Sequence, residues 1–166
     1  MNRFTRLLRH LFAPSARGMF PAERLQRITE AIAAGELRHT GEVCFAIEAA
    51  LPASAVLAGQ QARDRAIDAF SRLRVWDTEA NNGVLLYLLL ADHRIEIVAD
   101  RGFRGRVDAS QWAAVCRAMD QQLRAHDAET AVVDAVDAMS TLLAQHYPRG
   151  EGDIDDNELA DAPHVF

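Results

Sequence analysis

The chain contains no lysine, since all 18 of its basic residues are arginine. This absence excludes mechanisms that need a lysine amine, among them phosphate-loop nucleotide hydrolysis, Schiff-base chemistry and Ser-Lys hydrolysis. Cysteine is scarce as well: Cys44 and Cys116 are too few for a disulfide framework or a cysteine-ligated metal site. Each lies in an apolar, periodic stretch, so we predict two small buried hydrophobic residues in a protein of a reducing compartment.

Long hydrophobic runs are also missing. The longest, Val84 to Ala91, has eight residues, whereas a helix that spans a membrane needs about 18. No cleavable secretory signal follows the first arginines, so we expect a cytoplasmic protein. The net charge of −6 is unevenly placed, because residues 1–20 carry +4 and residues 150–166 carry −6. The acidic body does not favour nucleic acid as a partner.

Residues 2–12 have the pattern of a basic amphipathic helix, which Pro14 and Gly18 would end. Three placements stay open: the apolar face docks on the domain or on a second copy, it lies on an anionic membrane surface, or the segment is disordered. The predicted contacts to a membrane or partner are the apolar Phe4, Leu7, Leu8 and Leu11 and the basic Arg3, Arg6 and Arg9.

The rest of the chain alternates helix and strand patterns. Helices are predicted over 21–37, over 54–75 with Ile67 turned inward, and twice after residue 105, the first capped by Ser110. Strands are predicted over 42–48, 84–91 and 94–99. A crossover helix makes the first two parallel, and a tight turn makes the third antiparallel to the second. We therefore predict the α/β class, as a three-layer α/β/α sandwich with a central mixed sheet over residues 21–148, preceded by the helix of 1–20 and followed by a flexible acidic tail, 149–166.

This topology brings polar residues of three loops to one edge of the sheet. The starts of the two parallel strands and the end of the third strand meet there. The oxygen-bearing side chains at this edge are Glu42, Asp77, Glu79, Asn81, Asn82 and Asp100. Such oxygens suit a hard cation, Ca²⁺ or Mg²⁺, and Arg101 beside them suits a phosphate or carboxylate. The alternative is a set of solvated loops with capping side chains.

Three segments occur in order in this region: Thr40-Gly41-Glu42, Asn82-Gly83-Val84-Leu85-Leu86 and Asp100-Arg101-Gly102-Phe103. Together they resemble the TPM domain, a family that includes a thylakoid lumen protein implicated in photosystem II repair and many bacterial proteins. The resemblance covers residues 22–147. It implies an α/β/α sandwich and a divalent-cation site, often for Ca²⁺. By the same resemblance, Asp77, Asn82 and Asp100 are the expected cation ligands, with Glu42 and Glu79 as neighbours.

Two functions follow from this resemblance. The first is a soluble TPM-like module with an accessory, assembly or quality-control role, which acts with a membrane-bound relative or another envelope protein and is peripheral to the inner membrane. The alternative is a metal-assisted acid phosphatase, because weak activity of this kind has been attributed to some members. The sequence identifies no nucleophile or general base, so whether the chain is an enzyme stays open and no catalytic residue is assigned.

Overall fold

The computed structural model of the chain describes residues 2–125, 128–150, 152 and 157–166. Helices α1 (Arg3–Leu11), α2 (Ala16–Met19) and α3 (Ala22–Glu36) come first. Strand β1 (Glu42–Glu48) then leads through α4 (Ala53–Ala58) and α5 (Ala62–Arg72) to β2 (Gly83–Leu89) and β3 (Arg94–Ala99). A 3₁₀ turn at Arg101–Phe103 precedes α6 (Ala109–Arg124), α7 (Ala128–His146) and the short strand β4 (His164–Val165).

The sheet has the strand order β3-β2-β1-β4. β1 and β2 are parallel, with Glu42 opposite Gly83 at the start of the ladder. β2 and β3 are antiparallel, with Val84 opposite Ala99. Every residue of β1 and β2 is buried, because helices cover both faces of the sheet. These pairings confirm the predicted mixed sheet.

Alternate residues of the central strands enter two separate cores. Val43, Phe45 and Ile47 lie in one core, together with residues of α3, α6 and α7. Cys44 and Ala46 lie in the other, together with residues of α4 and α5. This alternation follows from the two-residue period of a strand. The two cores on opposite faces of one sheet confirm the predicted α/β/α sandwich.

The single helix predicted over 54–75 is wrong, because two helices occupy this stretch. Gly59 adopts φ +82° and ends α4 in the left-handed conformation that favours glycine. Gln61 and Asp64 then form a capping box that starts α5. With this start, Ala62, Ala66 and Ala69 form the buried face of α5. Ile67 consequently lies on the outer side, 46% exposed, and not inward as predicted.

The chain after Pro148 contributes a fourth strand, which the sequence analysis did not place. β4 pairs in parallel with β1, with His164 opposite Ala46 and Val165 opposite Ile47. The sequence analysis predicted a tail here and no strand. Two residues are too few to show a strand period, and the acidic residues before them carry no strand signal. Residues 151 and 153–156 of the predicted tail lie outside the described residues.

The two helices after the third strand agree with their apolar pattern, although the predicted N-cap is wrong. Val115 and Met119 of α6 and Met139 of α7 are buried in the main core. Asp108, not Ser110, caps α6, because its backbone N–H donates to Gln111 Oε1 at 2.9 Å in a capping box. Among the described residues, no helix combines the length and apolarity that crossing a bilayer requires.

Candidate functional site

Three loops meet at the edge of the sheet where β1 and β2 begin and β3 ends, as the topology predicted. The Glu42 N–H donates to the Asn82 carbonyl at 3.3 Å, which joins the first two loops. The Asp100 N–H donates to the Gly83 carbonyl at 2.9 Å, and the Gly102 N–H to the Asn81 carbonyl at 2.9 Å. The third loop is thereby fixed to the second. We call this edge the rim.

Asn82 and Asp100 each present a buried oxygen at the rim. Asn82 is 1% exposed, its Nδ2 donates to the Thr40 carbonyl at 2.8 Å, and its N–H donates to Thr78 Oγ1 at 3.0 Å. Asp100 Oδ1 accepts from the Arg101 N–H at 2.6 Å. Among the described residues, neither Asn82 Oδ1 nor Asp100 Oδ2 has a hydrogen-bond partner. Because buried oxygens are normally paired, these two atoms fit a cation or an ordered water.

The other three predicted ligands are used differently. Asp77 is exposed and forms an ion pair with Arg74 at 2.7 Å. Glu79 is also exposed, and its N–H donates to Glu158 Oε2 at 2.9 Å. Glu42 is buried, and its Oε2 accepts from the Leu159 N–H at 3.1 Å.

The described residues contain no group of three or more His, Cys, Asp or Glu side chains arranged to hold a metal ion. The predicted set of five ligands is therefore not brought together at one point. The rim fits Ca²⁺ or Mg²⁺ in part, through the oxygens of Asn82 and Asp100.

Arg101, the predicted anion-binding residue, lies at the rim and is exposed. Its Nε donates to Asn81 Oδ1 at 2.6 Å, which directs the guanidinium along the loop of β2. Asn81 adopts φ 53°, in the left-handed region that asparagine tolerates better than most residues. The sequence analysis placed Asn81 at this edge but did not include it in the predicted ligand set. A short turn in the left-handed conformation just before a buried strand is the sequence feature that could have indicated Asn81.

Gly102 lies in a space that admits no side chain. A Cβ there would be 2.4 Å from the Asn81 carbonyl oxygen and 2.5 Å from the Tyr147 hydroxyl. The same hydroxyl donates to the Gly102 carbonyl at 2.7 Å, which ties the end of α7 to the rim. Tyr147 supports the rim, and no sequence pattern indicated it.

Helix α1 is attached to the domain through polar side chains. The Arg6 guanidinium donates to Asp92 Oδ2 at 2.6 Å and to the Gln60 carbonyl at 2.7 Å. His10 Nε2 lies 3.1 Å from Asp92 Oδ1, and the Leu51 N–H donates to His10 Nδ1 at 3.0 Å. Asp92 lies in the turn between β2 and β3. The attachment thus joins the first helix to the opposite end of the sheet from the rim.

Most of the predicted apolar face of α1 points away from the domain. Phe4 is 65% exposed, Leu8 39%, Leu11 62% and the adjoining Phe12 82%. Leu7 alone among the predicted apolar contacts packs against a core, the one that contains α4 and α5. Of the predicted basic contacts, Arg3 and Arg9 are exposed, whereas Arg6 is held by Asp92. We call Phe4, Leu8, Leu11 and Phe12 the apolar row.

Comparisons with known proteins agree with this architecture. The family model described as TPM domain matches residues 15–142. Among solved structures, the chain is similar to the BA42 protein from the psychrophilic bacterium Bizionia argentinensis, solved by NMR. The two share 26% sequence identity with a TM-score of 0.77, over 89% of this chain and 95% of BA42. No curated protein matches the chain.

Proposed function

Because the chain belongs to the TPM domain family, which fixes its fold but not its role, we propose that it is a TPM-type accessory module that binds an anionic membrane surface through α1. The observation that supports this role is the orientation of α1. Arg6 and His10 on its polar side bind Asp92 and the Leu51 N–H, and this attachment leaves the apolar row largely exposed. An exposed apolar row flanked by basic residues matches the chemistry of a lipid interface.

Charge favours an anionic membrane over a neutral partner. Residues 1–20 carry four arginines and no acidic residue, whereas the whole chain has a net charge of −6. Arg3 and Arg9 lie exposed on α1 beside the apolar row. Each arginine near an anionic surface contributes about 1 kcal/mol, and each buried Phe or Leu side chain contributes about 1.5–3 kcal/mol. Together these terms would hold the domain reversibly at the surface.

On that surface, we assign the module an assembly or quality-control role beside a membrane-bound protein of the inner membrane, facing the cytoplasm. The rim lies at the end of the sheet opposite to the turn that holds α1. Binding through α1 would therefore leave the rim open to the partner. This arrangement separates attachment from recognition.

Vesicle co-sedimentation tests the proposal. The wild-type chain should sediment with vesicles that contain phosphatidylserine and much less with pure phosphatidylcholine vesicles. The Leu8→Ser, Phe12→Ser double variant should bind more than about 100-fold more weakly, and Arg3→Gln, Arg9→Gln about 30-fold more weakly. Leu37→Ser is the matched control, because Leu37 is 67% exposed and lies outside α1. Equal sedimentation of wild type and the Leu8, Phe12 variant would refute membrane binding by the apolar row.

A second candidate function is cation-assisted hydrolysis of a phosphomonoester at the rim. The unpaired buried oxygens of Asn82 and Asp100 favour it, because they are hard ligands. A bound Ca²⁺ or Mg²⁺ would polarise a phosphoryl oxygen there. Arg101, exposed beside Asp100, would hold the phosphate through its guanidinium.

Calorimetric titration with Ca²⁺ and with Mg²⁺, together with a phosphomonoester assay, tests this candidate. Asn82→Ala and Asp100→Asn should each abolish cation binding and turnover. Asp77→Asn should change both only slightly, because Asp77 is paired with Arg74 away from the two buried oxygens. Turnover that survives a triple variant of Asp77, Asn82 and Asp100 would exclude the rim as the site.

A further inference from the structure

The outer edge of β1 is filled by a segment from the far end of the sequence. On its inner side β1 pairs along its whole length with β2, from Glu42 to Glu48. On its outer side, within the described part of the chain, it pairs only with His164 and Val165, and the Phe166 N–H donates to the Ile47 carbonyl at 2.9 Å. The outer edge of β1 therefore accepts a strand, and the strand paired there is only two residues long. An acceptor of this kind is a template for any strand that fits it.

Side chains next to the β1 edge limit which peptide segments can pair there. The Val43 N–H on the same edge donates to Glu36 Oε1 at 2.9 Å, so an added strand can pair only beyond this point. At the other end, the Arg65 guanidinium lies 6.0 Å from the centre of the Phe166 ring. Arg65 is held in place by both carboxylate oxygens of Glu48, at 2.8 and 2.9 Å. The acceptor thus suits a segment with a β-branched residue followed by an aromatic residue.

The segment Asn157–Phe166 is held weakly for its length. Val165 is partly buried against the main core and Leu159 against the second core. Two hydrogen bonds join the segment to the rim, from the Leu159 N–H to Glu42 Oε2 and from the Glu79 N–H to Glu158 Oε2. Phe166 is 44% exposed, and most residues from 157 to 162 are exposed. Two paired residues and a few side-chain contacts open far more readily than the central strands do.

The connection to the domain is long enough for the segment to leave. Arg149 is anchored, since its N–H donates to the Arg38 carbonyl at 3.2 Å. Leu159 follows Arg149 by ten positions along the chain, and a segment of that length spans up to about 35 Å when extended. This reach allows the segment to cross to a neighbouring molecule.

We propose that Asn157–Phe166 is exchanged between two copies of this chain, so that the β1 edge of each copy accepts His164–Phe166 of the other. The occupant is a second copy because its segment reproduces every contact seen within one chain, including the Phe166 N–H to the Ile47 carbonyl. Reciprocal exchange also closes the assembly, since neither copy is left with an open edge.

The first experiment tests the acceptor with a fluorescent peptide of residues 157–166, measured by anisotropy on the full chain. Phe166→Pro removes the N–H that pairs with Ile47 and should vacate the edge. This variant should bind the peptide about tenfold more tightly than wild type, in which the attached segment competes. Phe166→Ala keeps the N–H and is the matched control. Equal peptide affinity for all three chains, or equal binding of a peptide with Pro at position 166, overturns the acceptor.

The second experiment tests the occupant. A chain with Ala162→Cys carries a spin label at this exposed position and is mixed with ¹⁵N-labelled wild type. Labelling should be selective, because burial raises the pKa of Cys44 to about 12 and that of Cys116 to about 11. Exchange predicts broadening of the Phe45 and Ile47 amide signals in the ¹⁵N-labelled copy, growing with concentration. Broadening should vanish when the spin-labelled chain also carries Phe166→Pro. Peptide binding without this broadening would overturn the second copy as the occupant and indicate a different donor protein.

Discussion

The Arg6 guanidinium and the Asp92 carboxylate lie 2.6 Å apart at the junction of α1 with the sheet, and their side chains are only 11% and 7% exposed. His10 completes the group from the same helix, 3.1 Å from the second carboxylate oxygen. The attachment of α1 thus depends on one acidic residue in the β2–β3 turn. The orientation of the apolar row follows from this contact, because the helix face that carries Arg6 and His10 is the one turned inward.

Asp92→Asn should detach α1. The change removes the charge that compensates Arg6 and weakens the contact to His10, so we expect a loss of about 3 kcal/mol in the free energy of unfolding, as for other buried pairs that lose one partner. Urea denaturation measures the loss, and hydrogen exchange of the α1 amides reports the detachment. Asp77→Asn is the control, because its pair with Arg74 is exposed and should contribute less than about 1 kcal/mol. Similar losses for both variants would contradict a special role for Asp92.

The attachment of α1 should also weaken in acid. Burial raises the pKa of Asp92, but the hydrogen bonds and charge of Arg6, with a contribution from His10, outweigh it and leave the pKa below its usual value of 3.8. A lowered pKa in the folded state contributes stability that is present above the unfolded value and is lost as the pH falls through the folded value. Protection of the α1 amides should therefore persist down to about pH 4 and then fall. Protection that stays constant between about pH 5 and about pH 2 would show that the Asp92 charge does not hold α1.

Gly83→Ala should destabilise the fold strongly. A Cβ at this position would lie 1.9 Å from the Val75 carbonyl oxygen, so the loop before β2 would have to move. We expect a loss of about 3 kcal/mol in the free energy of unfolding, together with displaced amide signals at Asn82. Gly18→Ala is the matched control, because the nearest atom to its Cβ would be at an ordinary 3.6 Å. Wild-type stability of Gly83→Ala would show that the close approach is not a constraint.

Neither cysteine should react with a thiol reagent at neutral pH while the protein is folded. Burial, with a smaller contribution from Glu36, raises the pKa of Cys44 to about 12, and burial raises that of Cys116 to about 11. Only the thiolate reacts, and its population at neutral pH is correspondingly small. Titration with a chromogenic disulfide should detect both thiols only in denaturant. Rapid modification of Cys44 in the native protein would show that the second core opens frequently.

Much of the fold could be predicted because the central strands carry their placement in their own residues. β2 is apolar along its length and β3 alternates, which is the pattern of a covered strand beside a partly exposed neighbour. The juxtaposition of loops at the rim then followed from topology alone. Which rim side chains face each other did not follow, because Asp77 turns to Arg74 and Glu42 to Leu159. Such choices depend on ion pairs and hydrogen bonds formed only after folding.

The inner faces of α1 and α5 could not be predicted from the sequence, because hydrophobicity did not decide them. The contact between Arg6 and Asp92 joins residues 86 positions apart. The amphipathic pattern of α1 indicated its apolar residues, and not His10, as the contact face, whether to the domain, to a partner or to a membrane. The inner face of α5 consists of alanines, whose small side chains give a weak hydrophobic signal beside Ile67. In both cases close packing or charge pairing overrode hydrophobicity.

The remaining prediction concerns the buried contact between Tyr87 and Glu48. The Tyr87 hydroxyl donates to Glu48 Oε2 at 2.6 Å, and burial, reinforced by this hydrogen bond, raises the pKa of the phenol well above its usual range. Tyr87→Phe removes a charge-assisted hydrogen bond from the interior and leaves Glu48 its ion pair with Arg65. We expect a loss of about 2 kcal/mol in the free energy of unfolding by urea titration. Tyr147→Phe loses only a bond to a neutral carbonyl, that of Gly102, and should lose about 1 kcal/mol. A smaller effect at Tyr87 than at Tyr147 would mean that Arg65 alone satisfies Glu48.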